Sequence, residues 1–371
     1  MARSWLGDLY KHGQTSTFVQ HLAIGLASPT SGIVALEQPT REPGSDEALI
    51  RVLYAAVSNL ELWQADFRLG VTDYPFILGI SLAGEVVKAG QDAGVKVGDN
   101  IISFSFAPGE AKAFQEYALL SNWKVGKIPS NVPIQEAVSV PDNFVTAYWS
   151  LFGNLKLPAP SELPTKSSPF EAATPIVIWG AGGSVGQYAL QVLHLAGYTN
   201  VIGIASSSHH EFLRSLGAAV IFDYKSKDVS EQVLRAAGGP VKYVFDTISD
   251  EQNSLSHISE FVVEGSQVAY LLPVRSGGYG SVQGVKSQTD ISFPAGVELF
   301  PVRTAYYHTN EKFKNELQPK ILPPLLSSGL IKPNRIREIQ GATLVDRVKE
   351  AFDILRKGQV NGEKLVVRIS G

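Results

Sequence analysis

The sequence predicts an α/β protein of two parts, a β-rich, curled domain and a doubly wound parallel sheet, and three observations predict it. Ile176, Val177, Ile178 and Trp179 make an apolar run of strand length that passes into a glycine-rich turn, then into a pattern with Val185, Ala189, Val192 and Leu193 on one helical face. Beyond this unit, strand-like and helical stretches alternate, the signature of a parallel sheet with crossover helices. Before it, short runs rich in Val, Ile, Leu and Tyr are separated by turn-forming residues.

The elements follow in order. After a polar N-terminal stretch, residues 32–36 and 48–57 read as strands separated by the turn at 41–46, and residues 82–87 and 100–106 continue the short-strand rhythm around Gly90, Gly94 and Gly98. Residues 143–155 carry Phe144, Ala147, Tyr148, Leu151 and Phe152 at helical spacing. Residues 157–175 hold five prolines and read as an exposed loop. Strands are then expected at 201–205, 220–222, 243–246 and 267–272, with helices at 211–216, 230–237 and 254–262. Past residues 297–306 come a proline-interrupted amphipathic region at 313–330, a helix at 344–356 and a closing strand at 364–369. The closing strand is expected to rejoin the first domain, which gives units at 1–141, 142–308 and a return segment at 309–371.

The glycine turn has the spacing G-x-G-x-x-G with Ala181 in the first place, followed by Gly183, Ser184, Val185 and Gly186. Small residues there let the backbone approach a pyrophosphate, and the following helix offers unpaired N–H groups and its positive dipole end. The same spacing also serves purely structural turns, so context decides between the two.

Composition removes several functions. The formal charge is −3, from 35 acids and 32 bases, and no basic stripe suited to nucleic acid stands out. With no cysteine, disulfides, thiolate nucleophiles and cysteine-ligated zinc are excluded. Residues 1–20 lack the apolar core of a secretory signal, and nowhere do about 20 apolar residues run together as a membrane span requires. A cytoplasmic protein without membrane contact is the expectation.

Together these blocks resemble the medium-chain dehydrogenase/reductase superfamily from about residue 31 onward. The marks are Leu78-Gly-Ile-Ser-Leu-Ala-Gly84, Val97-Gly-Asp-Asn100, Ala113-Phe-Gln-Glu-Tyr-Ala118, Thr146-Ala-Tyr148, the glycine turn, Phe222-Asp-Tyr224 and Asn361-Gly-Glu-Lys-Leu-Val-Val367. Within it the chain is most similar to fungal trans-acting enoyl reductases that serve polyketide synthases, on Leu157-Pro-Ala-Pro-Ser161, Leu216-Gly-Ala218 and Leu355-Arg-Lys-Gly358. The resemblance implies a GroES-like catalytic domain completed by the C-terminal segment, an NADPH-binding Rossmann domain between, and reduction of a carbon–carbon double bond. Zinc members carry a His-Glu pair where this chain has Ile80 and Ser81, and a cysteine near Ser58, so no metal is expected.

An NAD site needs an acid roughly 20 residues past the glycine turn to hold the ribose 2′-OH. The second strand instead ends in Ala205-Ser-Ser-Ser-His-His210. A carboxylate there would repel a 2′-phosphate by about 1 to 4 kcal/mol at 4 Å, and it is missing, so NADPH is the expected cofactor. The resemblance implies that Ser206, Ser207, Ser208, His209 and Tyr224 line the 2′-phosphate pocket, Leu271 and Leu272 the nicotinamide side, and Gln359 and Val360 a neighbouring edge. Ser206 to Ser208 suit a polar helix cap equally well. Asp99 and Asp246 read as structural, and the seven histidines lack metal-ligand spacing.

The implied chemistry is hydride transfer to the β-carbon of an α,β-unsaturated thioester, then protonation of the α-carbon. Relatives often read Asn-Pro-x-Asp-x-Lys where this chain has Ser58-Asn-Leu-Glu-Leu-Trp63, and an indole cannot deliver the proton a lysine could. Thr146 is the first catalytic candidate and Tyr148 the second, with Trp63, Phe144 and Thr146 as substrate contacts. Three functions follow: an NADPH-dependent reductase of a synthase-borne polyketide chain, a stand-alone NADPH reductase of enones or quinones, which Trp63 favours, and a non-catalytic NADPH-binding protein.

Overall fold

In a computed structural model the chain is described over residues 19–107, 109–276 and 282–370. The reading of the N-terminal stretch before residue 19 lies outside the described residues. Six parallel strands form the central sheet, in the spatial order Val220–Phe222, Val201–Ile204, Ile176–Trp179, Tyr243–Asp246, Gln267–Leu271 and Glu298–Val302. Chain order reverses between Ile176–Trp179 and Tyr243–Asp246, a switch point that opens a crevice at the carboxyl ends of the strands. All four residues of both strands are buried, as expected for a sheet covered on two faces.

Helices Ser184–Leu195, His210–Ser215 and Val229–Ala237 make the crossovers. The helix expected at 254–262 is shifted three residues earlier, to 251–259. Asp250 accepts from the backbone of Gln252 and Asn253, which starts a π-helical turn at Glu251–Leu255 before the α-helix Ser256–Ser259.

The second sheet is mixed and seven-stranded, with Glu47–Val57 at its centre. Register shifts at Leu49/Ile50 and Val52/Tyr54 let this long strand curl as it pairs with Ser81–Ala89. The closing strand Glu363–Arg368 joins this sheet, antiparallel to Glu47–Val57 and parallel to Arg335–Ile339. Both strands thus return the chain to the sheet built from its first part. Gln318, fully buried in the proline-interrupted region, ties that return to the same sheet through the N–H and carbonyl of Phe104.

Helix Pro141–Tyr148 joins the two sheets. Every one of its residues is buried, it packs against Ser184–Leu195, and it runs on into a π-helical turn at Trp149–Asn154. The cores of the two sheets meet around it, in one cluster that includes Ile80 and Phe104 from one side and Ile178 and Ala189 from the other. Among the described residues no helix is long and apolar enough to cross a membrane.

Candidate active site

A cleft of about 1250 Å³ runs between the two sheets. The glycine turn forms one end. Gly180, at φ +81°, turns the chain out of the first strand, and its carbonyl lies where a Cβ on Gly186 would fall, at 2.3 Å. Only glycine at 186 lets the helix approach the strand this closely. Gly183 is the N-cap of Ser184–Leu195, and no side chain caps the first turn, so its N–H groups are open to an anion from the cleft. Gly183, Ser184 and Val185 line the cleft; Ala181 and Gly186 are packed behind it.

Next to the turn, Ser206, Ser208, His209 and Tyr224 line the same end, together with Lys225. The Ser206 and Ser208 hydroxyl oxygens lie 3.4 Å apart, and the Lys225 ammonium sits 5.7 Å from the Tyr224 ring centre. Asp223 fixes this corner by accepting from the N–H of Lys225 (2.9 Å) and of Ser207 (3.2 Å), bonds that hold its carboxyl below the usual range. Ser207 itself faces away from the cleft, a correction to its expected place in a phosphate pocket, because its N–H is anchored to Asp223.

His209 has a second occupation. It is 8% exposed, its Nε2 lies 2.7 Å from Asn361 Oδ1, and its ring packs on Gly182 and Gly362. Gln187 adds a parallel tie by donating to the carbonyls of Gly182 and Gly362. The loop after helix Leu344–Arg356, with Gln359 and Val360 on the cleft wall, is thereby stitched across the glycine turn.

The reacting end lies beyond Leu271 and Leu272, both on the cleft wall, where Leu272 donates its N–H to Val302 across the last two parallel strands. Thr146 lines the cleft from the buried helix, one turn beyond Asp142, and its hydroxyl donates to that of Thr304 at 3.1 Å. Trp63, half-buried, shares an apolar wall with Leu60, Leu69, Ile80 and Phe106.

Phe144 and Tyr148 correct their expected roles. Phe144 is fully buried and Tyr148 is 3% exposed, and neither lines the cleft. Helical spacing places Thr146 on the cleft face and turns the two rings into the core, where Tyr148 packs on Phe144, Phe152 and Phe313 and burial pushes its phenol up to about 12. Asp246 is likewise sealed in the sheet, accepting from the N–H groups of Ile248 and Ser249 and from the Ser254 hydroxyl; burial pushes its carboxyl up to about 6.

Four polar residues of the site were not singled out from sequence. Lys225 had a signal, adjacency to Tyr224. Lys364 stood inside the closing motif at 361–367, while Asp142 and Thr304 had no signal, since each gains meaning only from its neighbours in space. Lys364 and Asp142 pair at 3.6 Å on the cleft wall, beside Ser58. Behind them Glu61 is wholly buried, accepting from the backbone N–H of Ile80 (3.1 Å) and of Ser58 (2.9 Å) and from the Ser58 hydroxyl; burial raises its carboxyl.

A doubly wound sheet with a glycine turn at its switch point, facing a curled β-sheet across one cleft, is the architecture of the two-domain dehydrogenases and reductases. The chain belongs to the medium-chain dehydrogenase/reductase family. Residues 44–146 match the alcohol dehydrogenase GroES-like domain and residues 184–268 the zinc-binding dehydrogenase domain. It is 33% identical to a trans-enoyl reductase of Aspergillus flavipes, over 94% of this chain and 99% of that one. It is 31% identical to a trans-enoyl reductase of Aspergillus japonicus, over 87% and 90%. Among solved structures, the enoyl reductase cyclopropanase of the curacin A pathway shares the fold at a TM-score of 0.70 and 20% identity, over 94% and 99% of the chains.

Zinc does not fit this donor set. Ile80 has no donor atom, and among the described residues no three His, Cys, Asp or Glu side chains are grouped to hold a metal ion.

Proposed function

We propose that this protein uses NADPH to reduce the double bond of an α,β-unsaturated thioester, on a chain presented by a polyketide synthase in the cytoplasm. One observation carries the reading: a single cleft joins a corner lined by Ser206, Ser208, Tyr224 and the Lys225 cation to an end where Thr146 and the Lys364–Asp142 pair face an apolar wall and no three metal donors are grouped among the described residues. The same reading keeps the chain divided at about residues 141 and 308.

Gly183, Ser184 and Val185 would hold the pyrophosphate, Ser206, Ser208, Tyr224 and Lys225 the 2′-phosphate, and Leu271 and Leu272 the nicotinamide. When bound, NADPH supplies the hydride. The chain contributes alignment, with Thr146 held beside Thr304 and the apolar wall of Leu60, Trp63, Leu69 and Phe106 seating the alkene. The synthase partner rests on similarity to the fungal trans-enoyl reductases.

The test is oxidation of NADPH, with NADH as control, by a 2-enoyl pantetheine thioester, a simple enone and a quinone. Reduction of the thioester with NADPH supports the proposal, and Thr146→Val is then expected to lower kcat about 10²-fold, the lower end of what loss of one positioned donor costs. Turnover of the enone or quinone alone favours a second reading, a stand-alone reductase of free small molecules. Trp63 on the cleft wall, in place of a lysine, is the observation behind it.

A further inference from the structure

Among the described lysines and arginines that line the cleft, Lys364 alone is buried, with a side chain 6% exposed; Lys225 and Arg303 are open to solvent and Lys286 is tied to Glu251 and Asp290. An ammonium has three N–H donors. Asp142, 3.6 Å away, is its ion-pair carboxylate, and the buried Glu61 behind it adds a second negative influence, which leaves N–H donors to be met from the cleft. The pairing of Leu365 with Val57 sets Lys364 opposite Ser58, at the end of the central curled strand. Asp142 stands one turn before Thr146 on the same helix and both line the cleft, so the ammonium belongs to the reacting end rather than to the glycine turn.

This is also the part of the cleft floor where zinc-bearing relatives place metal ligands, at the positions of Ser58 and Ile80. A fixed positive charge therefore faces the cleft where a Lewis acid would otherwise act. We propose that Lys364 is a catalytic residue whose ammonium donates a hydrogen bond to the carbonyl oxygen of the unsaturated substrate and holds the enolate oxygen formed there. Asp142 is the positioning residue that keeps the ammonium charged and aimed. The inference rests on the enoyl-reduction reading.

The electrons balance as follows. Hydride adds to the β-carbon, the alkene pair becomes the new bond between the α-carbon and the carbonyl carbon, and the carbonyl π pair moves onto oxygen. Water then gives a proton to the α-carbon as the pair returns from oxygen. Lys364 keeps its own proton throughout, which removes the need for the acid that Trp63 cannot supply.

Lys364→Gln, Lys364→Arg and Asp142→Asn test it, with three readouts: kcat on the enoyl thioester, Kd for NADPH, and, in cofactor-free protein, Kd for butyrate, whose carboxylate mimics the enolate oxygen. Lys364→Gln is expected to lower kcat about 10²- to 10³-fold, the usual effect of losing an oxyanion donor, with NADPH affinity within twofold and butyrate binding at least tenfold weaker. Lys364→Arg should recover part of both, and circular dichroism confirms which variants fold. The inference is overturned if kcat is unchanged, or if NADPH affinity falls in step with kcat, which would make Lys364 a cofactor ligand. If the wild type reduces no unsaturated compound, the proposed function falls, and butyrate binding that is indifferent to Lys364→Gln overturns the inference separately.

Discussion

The two ends of the cleft are built in opposite ways. At the phosphate end, Gly180, Gly183, Ser184, Ser206, Ser208, Tyr224 and Lys225 come from three successive strand–helix units. At the reacting end, Ser58, Asp142, Thr146, Thr304 and Lys364 come from four separate segments, brought together by sheet pairing and by the one buried helix that carries both Asp142 and Thr146. Binding a dinucleotide needs backbone geometry, which a short peptide can specify. Holding a developing charge needs side chains on rigid supports, and those come from wherever the fold supplies them.

The largest effect should come from filling the phosphate end. Gly186→Val puts a Cβ 2.3 Å from the Gly180 carbonyl, so the helix must move off the strand. Overpacking of this kind costs about 1–3 kcal/mol, and NADPH affinity should fall at least about a hundredfold as the turn opens. Calorimetry and fluorescence titration check the two effects. NADPH binding that survives would mean the turn is not the pyrophosphate site.

Ser206→Asp sharpens the comparison by changing charge without changing the turn. The new carboxylate faces the 2′-phosphate corner, and repulsion of about 1 to 4 kcal/mol at 4 Å should shift preference toward NADH by at least about tenfold. Parallel Kd measurements for the two coenzymes decide it; an unchanged ratio would place the 2′-phosphate elsewhere.

Asp246 tests whether the phosphate end carries a stability cost. Its carboxyl is pushed up to about 6, above an ordinary value near 4, so the folded protein holds a proton there that the unfolded chain has released. Its contribution is therefore full below pH 4 and is lost as pH rises to 6. Asp246→Asn keeps an acceptor for Ile248 and Ser249 and should raise the melting temperature at pH 7 relative to the wild type, by an amount worth about 1–3 kcal/mol. The gain should shrink toward pH 4, and a pH-independent difference would refute the charge argument.

The smallest effect is expected one residue pair away from Thr146. Tyr148→Phe removes a hydroxyl from a ring that packs in the core and does not line the cleft. Stability should change by less than about 1 kcal/mol and kcat by less than twofold. A large loss of kcat with unchanged stability would return Tyr148 to the reaction.

The sequence by itself determined the strands Ile176–Trp179, Val220–Phe222 and Tyr243–Asp246 and the helix Leu344–Arg356, all read with their observed bounds. Apolar periodicity and turn chemistry are short-range steric facts, so they survive in any fold. It also determined the glycine turn and the missing acid after the second strand, which lie within one supersecondary unit.

Other elements had no such signature. The strands Gln20–Leu26 and Arg335–Ile339 and the helix Asn59–Phe67 were not read as elements. Arg335–Ile339 is only partly buried, and the helix buries Glu61 and Gln64 alongside Leu62 and Ala65, which blurs any apolar stripe. Tertiary structure alone decided which face of Pro141–Tyr148 meets the cleft, sending Thr146 there and Phe144 and Tyr148 inward. It alone set His209 against Asn361 and Lys364 against Asp142. Those pairs join residues 152 and 222 positions apart. A contact at that separation depends on the pairing of whole strands and the packing of whole helices, which no local pattern of residues encodes.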